Sequence, residues 1–413
     1  MAKKPELLAP AGSFEKMIFA FAYGADAVYI GGKGYNLRAF GENFSREEIA
    51  AAVRYAHERG KKIYVTVNAF PHEGGFVDLP DYLRFLEQSA ADAALVADLG
   101  VFMTAREVAP RLKIHISTQA NAVNAAAVNA WQKLGAERIV LARELTKEEI
   151  IKIRRKTSAE LEIFIHGAMC MSYSGRCMLS KYLTGSDPNS GECRQPCRYK
   201  YFLQEEKRPD EYFPAAEDAA GTYIFNSKDL NLLPYIKDVI ESGVDSLKIE
   251  GRAKSVHYVA GAVKAYRQAI DAYFADPDNF SVKKPWAEEL QKISHRRYWG
   301  GFFADKEENG QIYESSSYER SVVFGGIVRG YDEQTGLYWA EQRGRLAIGQ
   351  KIEILTPAGE NFTQDLDDMR NENNLPIEVA PHPKEKIKIR LKEDAAPLSL
   401  IRIVGTEVNS NGI

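Results

Sequence analysis

The chain has 413 residues, 45% of them hydrophobic, and a formal net charge of -3. That length allows about two or three domains, and the charge argues against coating nucleic acid by charge alone while leaving a local basic surface open. No run of about 18 uncharged apolar residues occurs, so no membrane span is expected. Met1-Ala2-Lys3-Lys4 leads straight into Pro5-Glu6-Leu7 without a secretory pattern, so a cytoplasmic location is expected.

In chain order, short apolar runs of strand character alternate with stretches of helical period. The runs are 6–10, 27–30, 62–67, 93–98, 113–117, 138–142, 161–166 and 246–249. Ser45-Arg46-Glu47-Glu48 and Thr146-Lys147-Glu148-Glu149 read as capping boxes that satisfy orphan backbone donors at helix starts. Gly60, Gly100, Gly135 and Gly243 stand where helices should stop before the next strand. Runs such as Ile139-Val140-Leu141-Ala142 are apolar on both faces, which suits parallel strands covered by helices. Eight such units predict a (β/α)8 TIM-like barrel over 1–275. The competing open doubly wound sheet lacks a Gly-x-Gly-x-x-Gly after the first strand.

Asp276-Pro277-Asp278-Asn279 and Lys283-Lys284-Pro285 read as linker, and 276–320 as a linker or helical connector. Beyond about Ser321 the helical period disappears. Strand-like runs at 322–328, 336–341, 351–355, 386–391 and 398–404 predict a small all-β C-terminal domain, barrel or sandwich, over 321–413.

All four cysteines fall between Cys170 and Cys197, in the spacing Cys-x6-Cys-x15-Cys-x3-Cys. A disulfide framework suits small secreted chains, so a metal site built from Cys170, Cys177, Cys193 and Cys197 is expected. Four thiolates select zinc or an iron–sulfur cluster. None of the gaps is the tight two-residue hook of structural zinc sites, which leans towards iron–sulfur, with zinc as the alternative. The Cys-x3-Cys-x2-Cys hook of radical S-adenosylmethionine enzymes is absent. Cys170 follows the seventh strand, so an insertion of about 168–226 grows from the C-terminal barrel mouth, where such folds place their chemistry.

Other polar residues fall at predicted strand ends: Asn68, then Thr118, Gln119 and Asn121, then Arg143 and Glu144, then His166, then Lys248, Glu250 and Arg252. A ring of this kind is a candidate anion-binding and acid/base site. Arg143, Lys248 and Arg252 are candidate carboxylate binders, and His166 and Glu250 candidate acid/base groups. Each alone also fits a structural ion pair or a satisfied core histidine. Arg198 in Cys197-Arg198-Tyr199-Lys200-Tyr201, and Arg297 in His295-Arg296-Arg297-Tyr298-Trp299, stand among aromatics, a mixture that pairs phosphates and stacks on bases but equally forms solvated faces. No Gly-x-Ser-x-Gly, His-Glu-x-x-His or P-loop occurs.

Glu162-Ile163-Phe164-Ile165-His166-Gly167-Ala168-Met169-Cys170 and Gly175-Arg176-Cys177-Met178-Leu179-Ser180 resemble the defining motif of the peptidase U32 family. Pro5-Glu6-Leu7-Leu8-Ala9-Pro10-Ala11-Gly12, Gly24-Ala25-Asp26-Ala27-Val28-Tyr29, Ser227-Lys228-Asp229-Leu230 and Lys248-Ile249-Glu250-Gly251-Arg252 are similar to other parts of it. The family was first labelled collagenase-like peptidase. Its better understood members support oxygen-independent hydroxylation of tRNA, ribosomal RNA or a quinone precursor, and in the quinone branch the matching cysteines carry an iron–sulfur cluster. Asp187-Pro188-Asn189-Ser190-Gly191-Glu192-Cys193, Glu211-Tyr212-Phe213-Pro214 and Ile224-Phe225-Asn226-Ser227 look most like the branch that makes wobble 5-hydroxyuridine in tRNA.

The resemblance therefore implies a 4Fe-4S cluster on the four cysteines, prephenate as the hydroxyl source and tRNA as the partner. It adds Lys228 to Asn68, Thr118, Gln119, Asn121, Glu144, Arg198 and Arg297 as candidate substrate-binding residues. A homo-oligomer or a paralogue partner remains open, as do a peptidase and a zinc-stabilised binding subunit.

Overall fold

The computed structural model describes residues 3–39, 41–170, 172–198, 226–304, 319 and 321–405, with short backbone stretches at 204–205, 208–212, 216–218, 221–223 and 311–312. Eight parallel strands close into a barrel. They are β1 (Glu6–Pro10), β2 (Ala27–Gly31), β3 (Lys62–Val67), β4 (Ala93–Val96), β5 (Ile114–Ile116), β6 (Arg138–Val140), β7 (Glu160–Ala168) and β8 (Ser246–Ile249). Each pairs with the next, and β8 closes the ring by pairing with both β7 and β1. The eight apolar runs of the sequence are these strands.

Six crossovers are filled by α1 (Phe14–Ala22), α2 (Arg46–His57), α3 (Leu79–Gln88), α4 (Leu99–Val108), α5 (Ala125–Leu134) and α6 (Lys147–Arg154). Both expected capping boxes form, Ser45 with Glu48 and Thr146 with Glu149. Gly135 caps α5 at a positive φ of 106°, as a helix-stopping glycine should. Gly100 corrects the sequence reading: it lies in the first turn of α4, whose N-cap is Asp98, and stops nothing.

After β7 comes the insertion, with the six-residue α7 (Leu179–Thr184). The chain then returns as a short strand, Asp229–Asn231, antiparallel to the end of β7. α8 (Ile236–Glu241) precedes β8, and the long α9 (Val256–Ala275) follows it. The Lys283-Lys284-Pro285 stretch is not linker: Pro285 sits in the first turn of α10 (Lys284–Lys292), where its missing N–H costs nothing.

The C-terminal region forms a seven-stranded antiparallel sheet. Two of its strands, Phe362–Asp365 and Met369–Asn371, are too polar to have stood out in the sequence. Val328, Ile352, Ile354, Ile387 and Ile401 build its own core, while Leu355 and Leu400 join the barrel's. Tyr23 donates to the carbonyls of Leu355 and Leu398, and the buried Arg402, paired with Glu353 within its own sheet, reaches Glu289 of α10 across the contact. No helix among the described residues is long and apolar enough to cross a membrane.

The barrel interior is charged at its N-terminal end. Arg138 donates to Glu6 at 2.6 Å, Glu160 at 2.7 Å and Glu162 at 3.2 Å. The fully buried Glu162 also accepts from Ser246 and from Lys248, each at 2.9 Å. Each carboxylate is thus ionically paired, the condition under which burying charge is tolerated.

Candidate functional site

Two joined cavities open at the C-terminal mouth. The inner one, about 470 Å³, is lined by Tyr29, Asn68, Thr118, Arg143, Lys248, Glu250 and Arg252, among others. The outer cleft, about 850 Å³, is lined by all four cysteines. Leu37, Arg38, Gln119 and Arg143 line both, and so form the shared wall.

Four cations line the inner cavity against one carboxylate, Glu250. Lys248 spends its charge on Glu162 and lies 4.7 Å from the Tyr29 ring centroid. Among the described residues Arg252 hydrogen bonds only to neutral oxygens, Thr66 Oγ1 at 3.2 Å, Asn36 Oδ1 at 3.2 Å and Asn43 Oδ1 at 2.5 Å. Burial lowers its pKa to about 10, which still leaves it charged at neutral pH. Its path needs Gly31: a Cβ there would stand 2.4 Å from the guanidinium. Arg143 donates to the Ala168 carbonyl at 2.8 Å and lies 3.9 Å over the Phe164 ring, while its buried Nε has no hydrogen-bond partner among the described residues.

Burial pushes the Glu250 carboxyl up, but Arg38, Arg143, the Tyr29 hydroxyl and Arg252 together hold it below the ordinary range. Glu250 is therefore an ionised group that orients cations. Arg38 was missed by the sequence reading. Its Nη2 stands 3.5 Å from Glu250, and although burial opposes its charge, Glu250, Cys193, Tyr29 and Cys170 raise its pKa. It thus faces the carboxylate on one side and two thiols on the other. Asn36, Leu37 and Arg38 follow β2 as the other site loops follow their strands, and that position was the available signal.

The remaining candidates divide. Asn68 donates to Gln119 Oε1 at 3.3 Å, and Thr118 to the Leu141 carbonyl at 3.1 Å, and all three line the inner cavity. Glu144 and Asn121 are not lining groups. Glu144 accepts from the Ser174 backbone at 2.6 Å and from its hydroxyl, and Asn121 donates to the Tyr173 carbonyl at 3.3 Å. Both tie the insertion to the barrel rim. Lys228 and Arg297 line neither cavity, and Arg297 faces Glu319 at 3.8 Å. The Arg198 side chain and residues 199–203 lie outside the described residues, as do Phe213, Pro214, Ile224 and Phe225.

His166 is not at the mouth. β7 pairs Phe164 with Lys248 and His166 with Ile249, so Ile165 is an extra residue. A bulge of this kind reverses which side chains face the barrel interior beyond it. Phe164 enters the cavity, and the His166 ring instead packs among Tyr258, Tyr266 and Tyr298. Its Nε2 is buried without a hydrogen-bond partner among the described residues, and burial lowers its pKa to about 3. The unfolded chain binds the proton first, so the buried neutral ring stabilises the fold above about pH 6.5 and less as pH falls towards 3. Replacing His166 with Phe is expected to remove about 1.4 kcal/mol per pH unit from the acid slope of stability over that window. Urea titrations at pH 7 and pH 5 check this.

Among the described residues the four cysteines form no disulfide, with Cys170 exposed and the others half-buried. Cys170 Sγ is 2.9 Å from Ser172 Oγ, and Cys177 Sγ accepts from the Leu179 backbone. No three His, Cys, Asp or Glu side chains among the described residues are grouped closely enough to hold a single metal ion. The donor set itself, four soft thiols on one cleft with Arg38 and Arg143 beside them, fits a polynuclear cluster, whose ligands attach at separate corners.

Fold and site together define a closed (β/α)8 barrel with a cationic mouth under a four-cysteine insertion. The chain belongs to Peptidase family U32: it matches that family over residues 12–312 and the family's C-terminal domain over 320–402. The tRNA hydroxylation protein P1 of Bacillus subtilis is 42% identical over 405 residues, covering 97% of this chain and 95% of its own. The tRNA hydroxylation protein P of Escherichia coli is 38% identical, covering 92% of each chain. A collagenase of Porphyromonas gingivalis is 29% identical, covering 95% of this chain and 96% of its own.

Proposed function

We propose that this protein supports oxygen-independent hydroxylation of the wobble uridine of tRNA to 5-hydroxyuridine, with prephenate as the hydroxyl source and a 4Fe-4S cluster on Cys170, Cys177, Cys193 and Cys197. The observation that carries the reading is the shared wall: Arg38 and Arg143 line both a cavity with four cations and a four-thiol cleft. The full-length relatives named tRNA hydroxylation proteins supply the substrate class. Arg252 and Arg143 offer forked donors to the carboxylates of a small diacid. Glu250 keeps Arg38 oriented between the compartments, and Phe164 and Tyr29 give the cavity apolar walls. Cys170, Cys177, Cys193 and Cys197 would hold the cluster beside Arg38 and Arg143, where it would supply electron transfer or Lewis acidity.

Anaerobically purified protein is expected to contain about four irons with matching acid-labile sulfide, and to lose them in Cys177→Ser. One colourless zinc per chain would overturn the cofactor. Deleting the gene together with any paralogue is expected to abolish 5-hydroxyuridine in tRNA, and an unchanged level would overturn the function.

The collagenase-named relative favours a peptidase as the second reading. Among the described residues no histidine is hydrogen bonded to Cys170, Cys177 or Cys193, and a cysteine nucleophile needs such a base. Collagen cleavage by the purified protein, lost on changing one cleft cysteine, would replace the hydroxylase reading.

A further inference from the structure

Four of the twelve exposed large apolar side chains among the described residues fall between residues 173 and 183: Tyr173, Met178, Tyr182 and Leu183. Tyr182 is 80% exposed. The same segment lines the outer cleft with Ser174, Gly175, Cys177, Leu179 and Ser180. One side therefore faces the cysteines and the other presents rings and methyls to water at the rim. A patch of that kind marks an interaction surface.

The segment is held firmly from beneath. Glu144 grips Ser174, Arg176 Nε donates to the Gln119 carbonyl at 2.7 Å, and Asn189 donates to the Cys177 carbonyl at 3.0 Å. The backbone of Arg194 donates to Ser180 Oγ at 3.1 Å. A surface so braced pays little ordering entropy on binding.

Its charge says what binds. Arg176 and Lys181 are exposed, and among the described residues neither has a carboxylate within ion-pair distance. Arg176 also lies 5.1 Å from the Phe70 ring centroid. Asp187 of the insertion is turned to His72 instead, at 3.9 Å. Cations without carboxylates, interleaved with tyrosines, complement the phosphates and bases of single-stranded RNA. Apolar side chains alone would equally suit a protein.

We propose that residues 173–183 form the landing platform for the RNA loop whose base enters the cleft, with Tyr182 and Tyr173 stacking on flanking bases and Lys181 and Arg176 pairing phosphates. This rests on the tRNA reading above and names the surface that serves it. An enzyme acting on a base takes it out of the stack, so its neighbours need support at the rim.

The test is fluorescence anisotropy of a labelled anticodon stem-loop at several salt concentrations, with the full chain. Tyr182→Ala is expected to weaken binding about tenfold, and Tyr182→Trp to retain it. Lys181→Ala is expected to lower the salt slope by about one. Thermal melts show whether each variant is folded. Wild-type affinity and slope in folded Tyr182→Ala and Lys181→Ala would overturn the platform and leave the tRNA reading standing. Conversion of a dimer to a monomer by Tyr182→Ala, with RNA affinity unchanged, would assign the patch to a second copy. Wild-type protein that binds no stem-loop would overturn platform and tRNA reading together.

Discussion

Replacing Arg252 with methionine is expected to weaken binding of the small acid by a hundredfold or so and to abolish product formation at ordinary donor levels. The side chain is 6% exposed and shares the cavity with Arg38, Arg143 and Lys248. Those three are partly committed: Arg38 to Glu250, Lys248 to Glu162, and Arg143 to a backbone carbonyl. Among the described residues Arg252 is bound only to the neutral oxygens of Thr66, Asn36 and Asn43, and no carboxylate there pairs directly with it. A charge-assisted hydrogen bond contributes about 1.5–3 kcal/mol. Losing a forked pair therefore costs about 3 kcal/mol or more, which is roughly a hundredfold. Arg252→Lys should recover only part, because an ammonium cannot reproduce the fork. Calorimetry with prephenate measures the affinity, and urea midpoints separate it from stability. Removing the guanidinium strands three oxygens, each at about 1–3 kcal/mol when left unsatisfied. Unaltered prephenate affinity in a folded Arg252→Met, where wild type binds, would remove this residue from the site.

What the sequence revealed of this mouth follows from the range of the forces involved. Strands buried on both faces are mostly apolar, so the eight runs were visible even though Glu6, Arg138, Glu162 and Lys248 lie on them. Capping boxes are local hydrogen bonds, and both were read correctly. The three strand-end residues Arg143, Lys248 and Arg252 were found because barrel topology sends such residues to one cavity. Arg38 was not found. It belongs to an irregular loop, and its value comes from Glu250, a residue more than two hundred positions away. His166 was misplaced for a different reason. Alternation along β7 carries Phe164 inward and would carry His166 with it, but the extra Ile165 inverts the parity. Nothing in Phe164-Ile165-His166-Gly167 announces that bulge. Gly167 hints at it, since a Cβ there would meet the Glu250 carbonyl at 2.4 Å. Glu144 was legible as a mouth residue but not as a tether, because its partner Ser174 is in the insertion.

The charged layer beneath the cavity carries the largest expected effect on stability. Arg138→Met should destabilise the fold by about 3–5 kcal/mol, the usual cost of stranding buried partners of an ion pair. Arg138 holds Glu6, Glu160 and Glu162, and Glu162 in turn holds Lys248 at the cavity floor. The loss should depend on pH. In the wild type, burial pushes the Glu6 carboxyl up, but Arg138 and Lys62 outweigh it and hold its pKa below 4.5. A carboxyl depressed in the folded state stabilises above its unfolded pKa, and that contribution is lost as pH falls through the folded value. Without Arg138, burial prevails over Lys62 and the Glu6 pKa rises. The variant then binds a proton more readily folded than unfolded, so its deficit against wild type should shrink as pH falls towards about 4.5, where the variant gains, and further below it, where the wild type loses. Urea midpoints at pH 7.5 and pH 4 measure the change, and an equal deficit at both would show that packing, not charge, sets the cost. Because Glu162 serves Arg138 and Lys248 at once, the same substitution should also raise the donor KM without touching the mouth. Lys248 would then be drawn more tightly to a carboxylate left with one cation, and less of its charge would face the cavity.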